Sequence, residues 1–419
     1  MSDEIKRGLK SPFRRKLLQG MVALPAISML PRTSFADVPA TSAVNTTGLA
    51  VTDTEVTVGI LHSVTGTMAI SETGSVEAEK LAIEQINAEG GVLGRKIKFI
   101  QEDGASDWPT FAEKAKKLLV NDKCASVMGW TSASRKAVLP VFEQYNGMLY
   151  YPTFYEGLEQ SKNVIYTGQE ATQQIIAGLD WVNKTKGAKT FYLLGSDYIW
   201  PRTSNKIARK HIEGHLQGCK VVGEEYFPLG STQFNSVINK IKLTKPDVIY
   251  AIIVGGSNVA FYKQLKAAGV DLSKQTLLTI SVTEDEIDGI GGENIAGAYA
   301  CMKYFQSLDN PNNKAFVPAF KKMWGEASVI GDVTQAAYLG PWLWKLTVEK
   351  AGSFDIDKVA AASPGVEFKG APEGYVRIHE NHHLWSKTRV GKAKADGQYE
   401  LIYETADLVE PDPFPKGYQ

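Results

Sequence analysis

Three short segments of this chain share one pattern, an apolar run that ends in hydroxyls and rings. They are Met128-Gly-Trp-Thr-Ser-Ala-Ser-Arg-Lys136, Leu149-Tyr-Tyr-Pro-Thr-Phe-Tyr-Glu-Gly157 and Phe191-Tyr-Leu-Leu-Gly-Ser-Asp-Tyr-Ile-Trp200. A buried strand reads this way where its carboxyl end opens onto a cleft. Ser, Thr, Tyr and Trp can hydrogen-bond and stack, but they supply no fixed charge. The chemistry they suggest is capture of a small, neutral, polar molecule. Any one of these clusters, Tyr150, Tyr151, Phe154 and Tyr155 included, could be core packing. Recurrence at three strand ends favours a site.

One catalytic signature has to be weighed against this. His379-Glu-Asn-His-His383 fits H-E-x-x-H, which binds zinc when both His share one face of a helix. Here the preceding Tyr375-Val-Arg-Ile378 alternates as a strand does, and Glu-Asn-His is turn chemistry. A hairpin turn is the expectation. The chain carries no G-x-S-x-G elbow, no P-loop and no G-x-G-x-x-G after a strand. No catalytic residue, metal or cofactor is expected.

The strand ends need a scaffold, and the chain alternates strand and helix from residue 53 onward. Strands are predicted over residues 56–61, 96–101, 125–129 and 148–151, with a first helix placing Ala78, Leu81, Ala82 and Ile86 on one face. A second series starts near Glu170, its first helix running through Ile175, Leu179 and Val182 to a stop at Gly187. Strands follow over 190–194, 220–224 and 247–254. Residues 312–324 and 334–351 read as helices, and 374–403 as antiparallel hairpin structure. This alternation predicts an α/β fold with parallel sheets covered on both faces. About 380 residues exceed one core, so two lobes are expected.

The start of the chain has another purpose. Lys6, Arg7 and Lys10 precede Arg14 and Arg15, then a short apolar stretch over 17–30 and the small-x-small Ser34-Phe-Ala36. This layout predicts an export signal over 1–36 of the twin-arginine type, cleaved after Ala36. The whole chain balances 46 Lys+Arg against 46 Asp+Glu; taking away the seven basic and two acidic residues of 1–36 leaves −5. A mildly acidic surface argues against nucleic acid as partner. No apolar run is long enough to span a membrane. Cys124, Cys219 and Cys301 form no C-x-x-C pair. Buried free thiols are favoured, and one bridge stays open.

On these residues the chain resembles the urea- and short-chain-amide-binding branch of the type I periplasmic binding proteins, a Leu/Ile/Val-binding-protein-like superfamily. Asn87-Ala-Glu-Gly-Gly-Val-Leu-Gly-Arg95 and Val58-Gly-Ile-Leu-His-Ser-Val-Thr-Gly66 mark the superfamily. Ser134-Arg-Lys-Ala-Val-Leu-Pro140, Tyr151-Pro-Thr-Phe-Tyr-Glu-Gly157 and Gly195-Ser-Asp-Tyr-Ile-Trp-Pro-Arg202 narrow it to the branch. The resemblance implies two doubly wound parallel-sheet lobes joined by a three-strand hinge. The N-terminal lobe would be 53–170 plus 305–372, and the C-terminal lobe 171–304 plus 373–419. It implies a monomeric periplasmic receptor that captures urea or a short-chain amide between the lobes. The guest would then pass to the permease and ATPase subunits of an ABC importer.

The same resemblance places Ser132 and Thr153 against ligand in the first lobe, with Tyr198 and Thr283 meeting it from the second. Trp130, Tyr151 and Trp200 fall on aromatic wall positions, beside Tyr155. The amide-sensor branch has tyrosine where Trp130 and Trp200 stand, and larger walls favour a smaller guest. Urea offers one carbonyl acceptor and four N–H donors, which calls for hydroxyls and strand-end carbonyls. Asp197 or Glu156 could accept further N–H groups or serve as surface or capping acids. An amide-sensing regulator is the alternative in another class, and a branched-chain amino-acid receptor the alternative in the same one.

Overall fold

The computed structural model describes residues 38–129 and 132–418, with the side chains of 132–134 left aside. The export signal expected over 1–36 lies outside the described residues. Strands β1 (Glu55–His62), β2 (Lys96–Asp103), β3 (Val127–Gly129), β4 (Leu149–Tyr151) and β5 (Val164–Tyr166) form a parallel sheet ordered β2-β1-β3-β4-β5. The second sheet takes β6 (Thr190–Ser196), β7 (Lys220–Phe227), β8 (Val248–Ile252), β9 (Thr276–Thr279) and β10 (Tyr299–Met302). Its order is β15-β14-β10-β9-β8-β6-β7. The short antiparallel set β11 (Glu367–Phe368), β12 (Val376–Ile378) and β13 (Leu384–Trp385) precedes β14 (Arg389–Ala393) and β15 (Tyr399–Glu404). Of these, β14 joins β10 antiparallel.

The sequence explains why these strands are central. β8 is Val-Ile-Tyr-Ala-Ile and every residue is buried, as a parallel strand covered by helices on both faces requires. Gly187 stops its helix as expected, with φ 66° and its N–H bonded to the Asn183 carbonyl. β5, by contrast, is only three residues long and has no sequence signature of its own. The fold is thus the α/β type I periplasmic binding architecture expected, two sheets with the chain passing between them three times.

Those three passages are tied together by buried charge. The Lys303 ammonium donates to the Thr167 carbonyl at 2.7 Å and pairs with Glu373 at 2.5 Å. Arg389 donates to the carbonyls of Lys303 and Glu373. Asp332 accepts the N–H groups of Lys303 and Tyr304, both at 2.9 Å. Residues 376–385, grouped with the second lobe in the sequence reading, pair with β11. They also reach β5 through a Tyr166–His383 bridge. The return to the second sheet starts at Arg389.

His379-Glu-Asn-His-His383 is the turn between β12 and β13. His379 N–H donates to the His383 carbonyl at 2.7 Å, and His382 has φ 67°. The imidazoles go to different partners, His379 to Glu410 and His383 to the Tyr155 hydroxyl. Cys124, Cys219 and Cys301 are buried and free. Among the described residues no helix is long and apolar enough to cross a membrane.

Candidate ligand site between the lobes

The two sheets point their carboxyl ends at each other and enclose a cavity of about 30 Å³. His62 stands at the end of β1, Thr153 and Phe154 just beyond β4, and Tyr198 and Trp200 beyond β6. Val254 follows β8, Ser281 follows β9, and Ser71, Glu72 and Glu286 come from two flanking helices. Crevices beyond strand carboxyl ends are where such sheets hold ligands. The lobes touch around the cavity. Gly256 N–H reaches the Thr67 carbonyl at 3.3 Å, and Asp285 lies 3.2 Å from the Thr334 hydroxyl. A Cβ at Gly331 would fall 2.1 Å from an Asp285 carboxylate oxygen, so glycine is what lets the lobes close here.

The helix Ala69–Ala88 supplies the charge. Its buried stripe holds Ile86, Ala82, Ile83 and Val76, and the same stripe carries Glu79 and Glu72. His62 Nε2 sits 2.9 Å from Glu79 Oε1, and its Nδ1 3.8 Å from Glu72 Oε2. The Ser63 N–H donates to the same Glu72 oxygen at 2.5 Å. Burial opposes charge on the imidazole, but Glu79 and Glu72 outweigh it and push His62 up to about 9. Burial raises both carboxyls, with His62 offsetting it in each.

On the opposite lobe, Thr283 caps the helix Glu284–Ile290. Its N–H and hydroxyl donate to Glu286 at 2.8 and 2.6 Å, a capping box written as Thr-x-x-Glu. Burial raises Glu286, offset by the Ser71 and Thr283 hydroxyls. Burial and the neighbouring Glu286 push Asp285 up to about 8.

Four polar atoms of the lining have no hydrogen-bond partner among the described residues, His62 Nδ1, Ser71 Oγ, Glu72 Oε1 and Trp200 Nε1; Glu72 Oε1 and Trp200 Nε1 are the plain acceptor and the plain donor among them. Buried groups left this way cost on the order of 1–3 kcal/mol each, so the pair describes a guest that carries both a donor and an acceptor. Phe154 and Trp200 pack against each other beside that space, ring centroids 5.1 Å apart, and form one aromatic wall.

Of the residues expected from the sequence, Thr153, Tyr198 and Trp200 meet at the cavity. Thr283 stands beside it as the helix cap. Tyr151 and Tyr155 lie one layer away, around the fully buried Arg135. The Arg135 guanidinium is 4.5 Å from the Tyr155 ring centre and pairs with Glu156 at 2.5 Å and Glu159 at 2.8 Å. Glu156 is therefore an ion-pair partner in this structure. Asp197 is 40% exposed and bound to Arg202 at 2.5 Å. Trp130 lies outside the described residues. Ser132 opens the helix Ser132–Gln144 directly after β3, with its side chain outside them too.

The sequence reading missed His62, Glu72, Ser281 and Glu286. A signal existed for Glu72: the apolar stripe extended backward from Ile86 runs through position 79 to position 72.

A limonene hydroxylase of Geobacillus stearothermophilus is 33% identical over 124 residues, 30% of this chain and 23% of that protein, so that likeness is confined to a segment. The leucine-, isoleucine-, valine-, threonine- and alanine-binding protein of Pseudomonas aeruginosa is 28% identical over 312 residues, 73% of this chain and 80% of that one. An ABC-transporter solute-binding protein from R. palustris in complex with 4-hydroxybenzoate matches the fold with a TM-score of 0.77. It is 23% identical, and the match covers 87% of this chain and 100% of that one. The periplasmic binding protein domain family matches residues 56–419, and the chain belongs to that family.

Proposed function

We propose that this receptor captures urea, or a short-chain amide, in the cleft between its lobes and delivers it to the permease and ATPase of an ABC importer. The observation that carries the reading is the small cavity whose unpartnered polar atoms, His62 Nδ1, Ser71 Oγ, Glu72 Oε1 and Trp200 Nε1, include both an acceptor, Glu72 Oε1, and a donor, Trp200 Nε1. A water needs roughly 10–15 Å³ of such space, so about 30 Å³ suits a guest of a few heavy atoms. Urea's carbonyl takes the indole N–H, its amino groups meet carboxylate and hydroxyl oxygens, and its flat faces lie against rings. Thr153, Tyr198 and Trp200 contribute wall and hydrogen bonds. Ser132, Trp130 and Thr283 complete the proposed set, with Tyr151 and Tyr155 supporting it from behind through Arg135.

The P. aeruginosa and R. palustris proteins take amino acids and 4-hydroxybenzoate, both carboxylates. A carboxylate in this cavity would face Glu72 and Glu286, while His62 is already held by Glu79 and Glu72. Like charges at buried sites disfavour that guest.

Isothermal titration with urea, acetamide, formamide, leucine and 4-hydroxybenzoate tests the reading. The best small ligands gain about 1.5 kcal/mol per heavy atom, so urea's ceiling is about −6 kcal/mol, or a Kd of tens of micromolar. Urea heat in that range is expected. Heat from leucine or the benzoate with none from urea overturns the assignment, and so does release of ammonia.

A further inference from the structure

We infer that the same cavity also takes a planar diamino cation, guanidinium or a small amidinium, and that Glu72 is the residue that reads its charge. The inference rests on the cleft being the ligand site, and it goes beyond a neutral guest. Guanidinium has the flat three-armed outline of urea, with a third amino group in place of the carbonyl and one positive charge over the whole.

The charges around the cavity favour that exchange. Glu72 and Glu286 line it from opposite lobes, and Glu79 stands behind Glu72. The one cationic group among the lining residues is His62, which Glu79 and Glu72 share. Two buried carboxylates therefore share one imidazole, and the third, Glu286, has hydroxyls and a backbone N–H for partners and no cation among the lining residues. Negative charge held out of water without a matching cation is unfavourable, and a cationic guest removes the imbalance. Burial raises Glu72, Glu79 and Glu286 alike, with His62 offsetting it at the first two and hydroxyls at the third.

The geometry points the same way. Glu72 Oε2 takes the Ser63 N–H, while Oε1 has no partner among the described residues. An amino arm donating to the Oε1 of a carboxylate makes a charge-assisted bond from either guest, and the positive charge of guanidinium adds ion pairing to it. The faces of Phe154 and Trp200 add the electrostatic attraction of aromatic rings for cations. One feature pulls toward urea: the Trp200 N–H needs an acceptor, which the carbonyl supplies and guanidinium does not. Carboxylates and indole therefore select in opposite directions, and the two guests compete.

The test is titration of the full chain at neutral pH with urea and with guanidinium chloride at micromolar to low millimolar concentration, sodium chloride serving as the ionic control. The expected result is one guanidinium per chain, displaced by urea, with the two Kd values within about tenfold. Glu72→Gln removes the ion pairing with a cation on top of the charged acceptor that both guests use, so it should weaken guanidinium about tenfold more than it weakens urea. Glu286→Gln, which can still cap its helix, repeats the comparison should the first variant not fold. Urea binding without guanidinium binding overturns the inference and leaves the urea reading standing. Equal loss of both guests in the variants overturns the role of Glu72. Absence of both overturns the cleft itself.

Discussion

His62 Nε2 lies 2.9 Å from Glu79 Oε1, both side chains buried, at the point where the first strand delivers its last residue to the cavity. The strand end and the helix behind it are thereby locked to one another by charge. The cavity wall is held from the helix side by Glu79, and Glu72 is left with an oxygen to offer.

That pair makes stability depend on pH. His62 goes from an ordinary value of 6.5 to about 9 on folding. A raised imidazole stabilises the fold fully below about 6.5, and that stabilisation is lost as pH rises through about 9. A shift of this size corresponds to roughly 3 kcal/mol. The thermal midpoint of ligand-free protein should fall from pH 7 to 9.5, and Glu79→Gln should flatten the profile. Equal slopes in both proteins would rule the pair out as the cause.

Thr153→Val and Tyr198→Ala each remove a polar group from the cavity wall. A hydrogen bond lost in a dry site costs about 1–3 kcal/mol, so each should weaken urea about tenfold or more. Circular dichroism should show an intact fold. Unchanged affinity in both would discredit the site.

Gly331 lies where the lobes meet. A methyl there meets an Asp285 oxygen at 2.1 Å and the Thr283 hydroxyl at 2.3 Å. Overpacking of this kind costs about 1–3 kcal/mol, and it falls on the closed state. Gly331→Ala should therefore weaken urea about tenfold and give a more open molecule in small-angle scattering with ligand. Closure like that of the parent would refute this.

Arg135 is fully buried between Glu156 and Glu159. Removing one partner of such a cluster costs about 3–5 kcal/mol because the other charges remain buried. Arg135→Ala should lower the thermal midpoint sharply. Heat is the right perturbant, since urea as a denaturant would also be a proposed ligand. A midpoint within a degree or two of the parent protein would show that the cluster contributes little.

The alternation of apolar strands and amphipathic helices was legible in the residues themselves, since each period reports which face is buried. So was the helix stop at Gly187, because a left-handed turn asks for glycine. The turn at His379–His383 was legible too, and so was the gathering of Thr153, Tyr198 and Trp200 at strand ends. Asp197 was not, because only the fold brings the Arg202 guanidinium back onto it. Nor were Tyr151 and Tyr155, which gather around Arg135 once it is buried with Glu156 and Glu159. Glu72, Glu79 and Glu286 were hardest to see: a carboxylate on a helix reads as solvated until a partner is placed against it. The sequence by itself determined the two-sheet architecture and the aromatic, hydroxyl-rich walls. Only the tertiary structure decided the charge of the cavity, because pairing between His62 and the carboxylates of the next helix, and the meeting with Glu286 of the other lobe, depends on distances that no local pattern encodes.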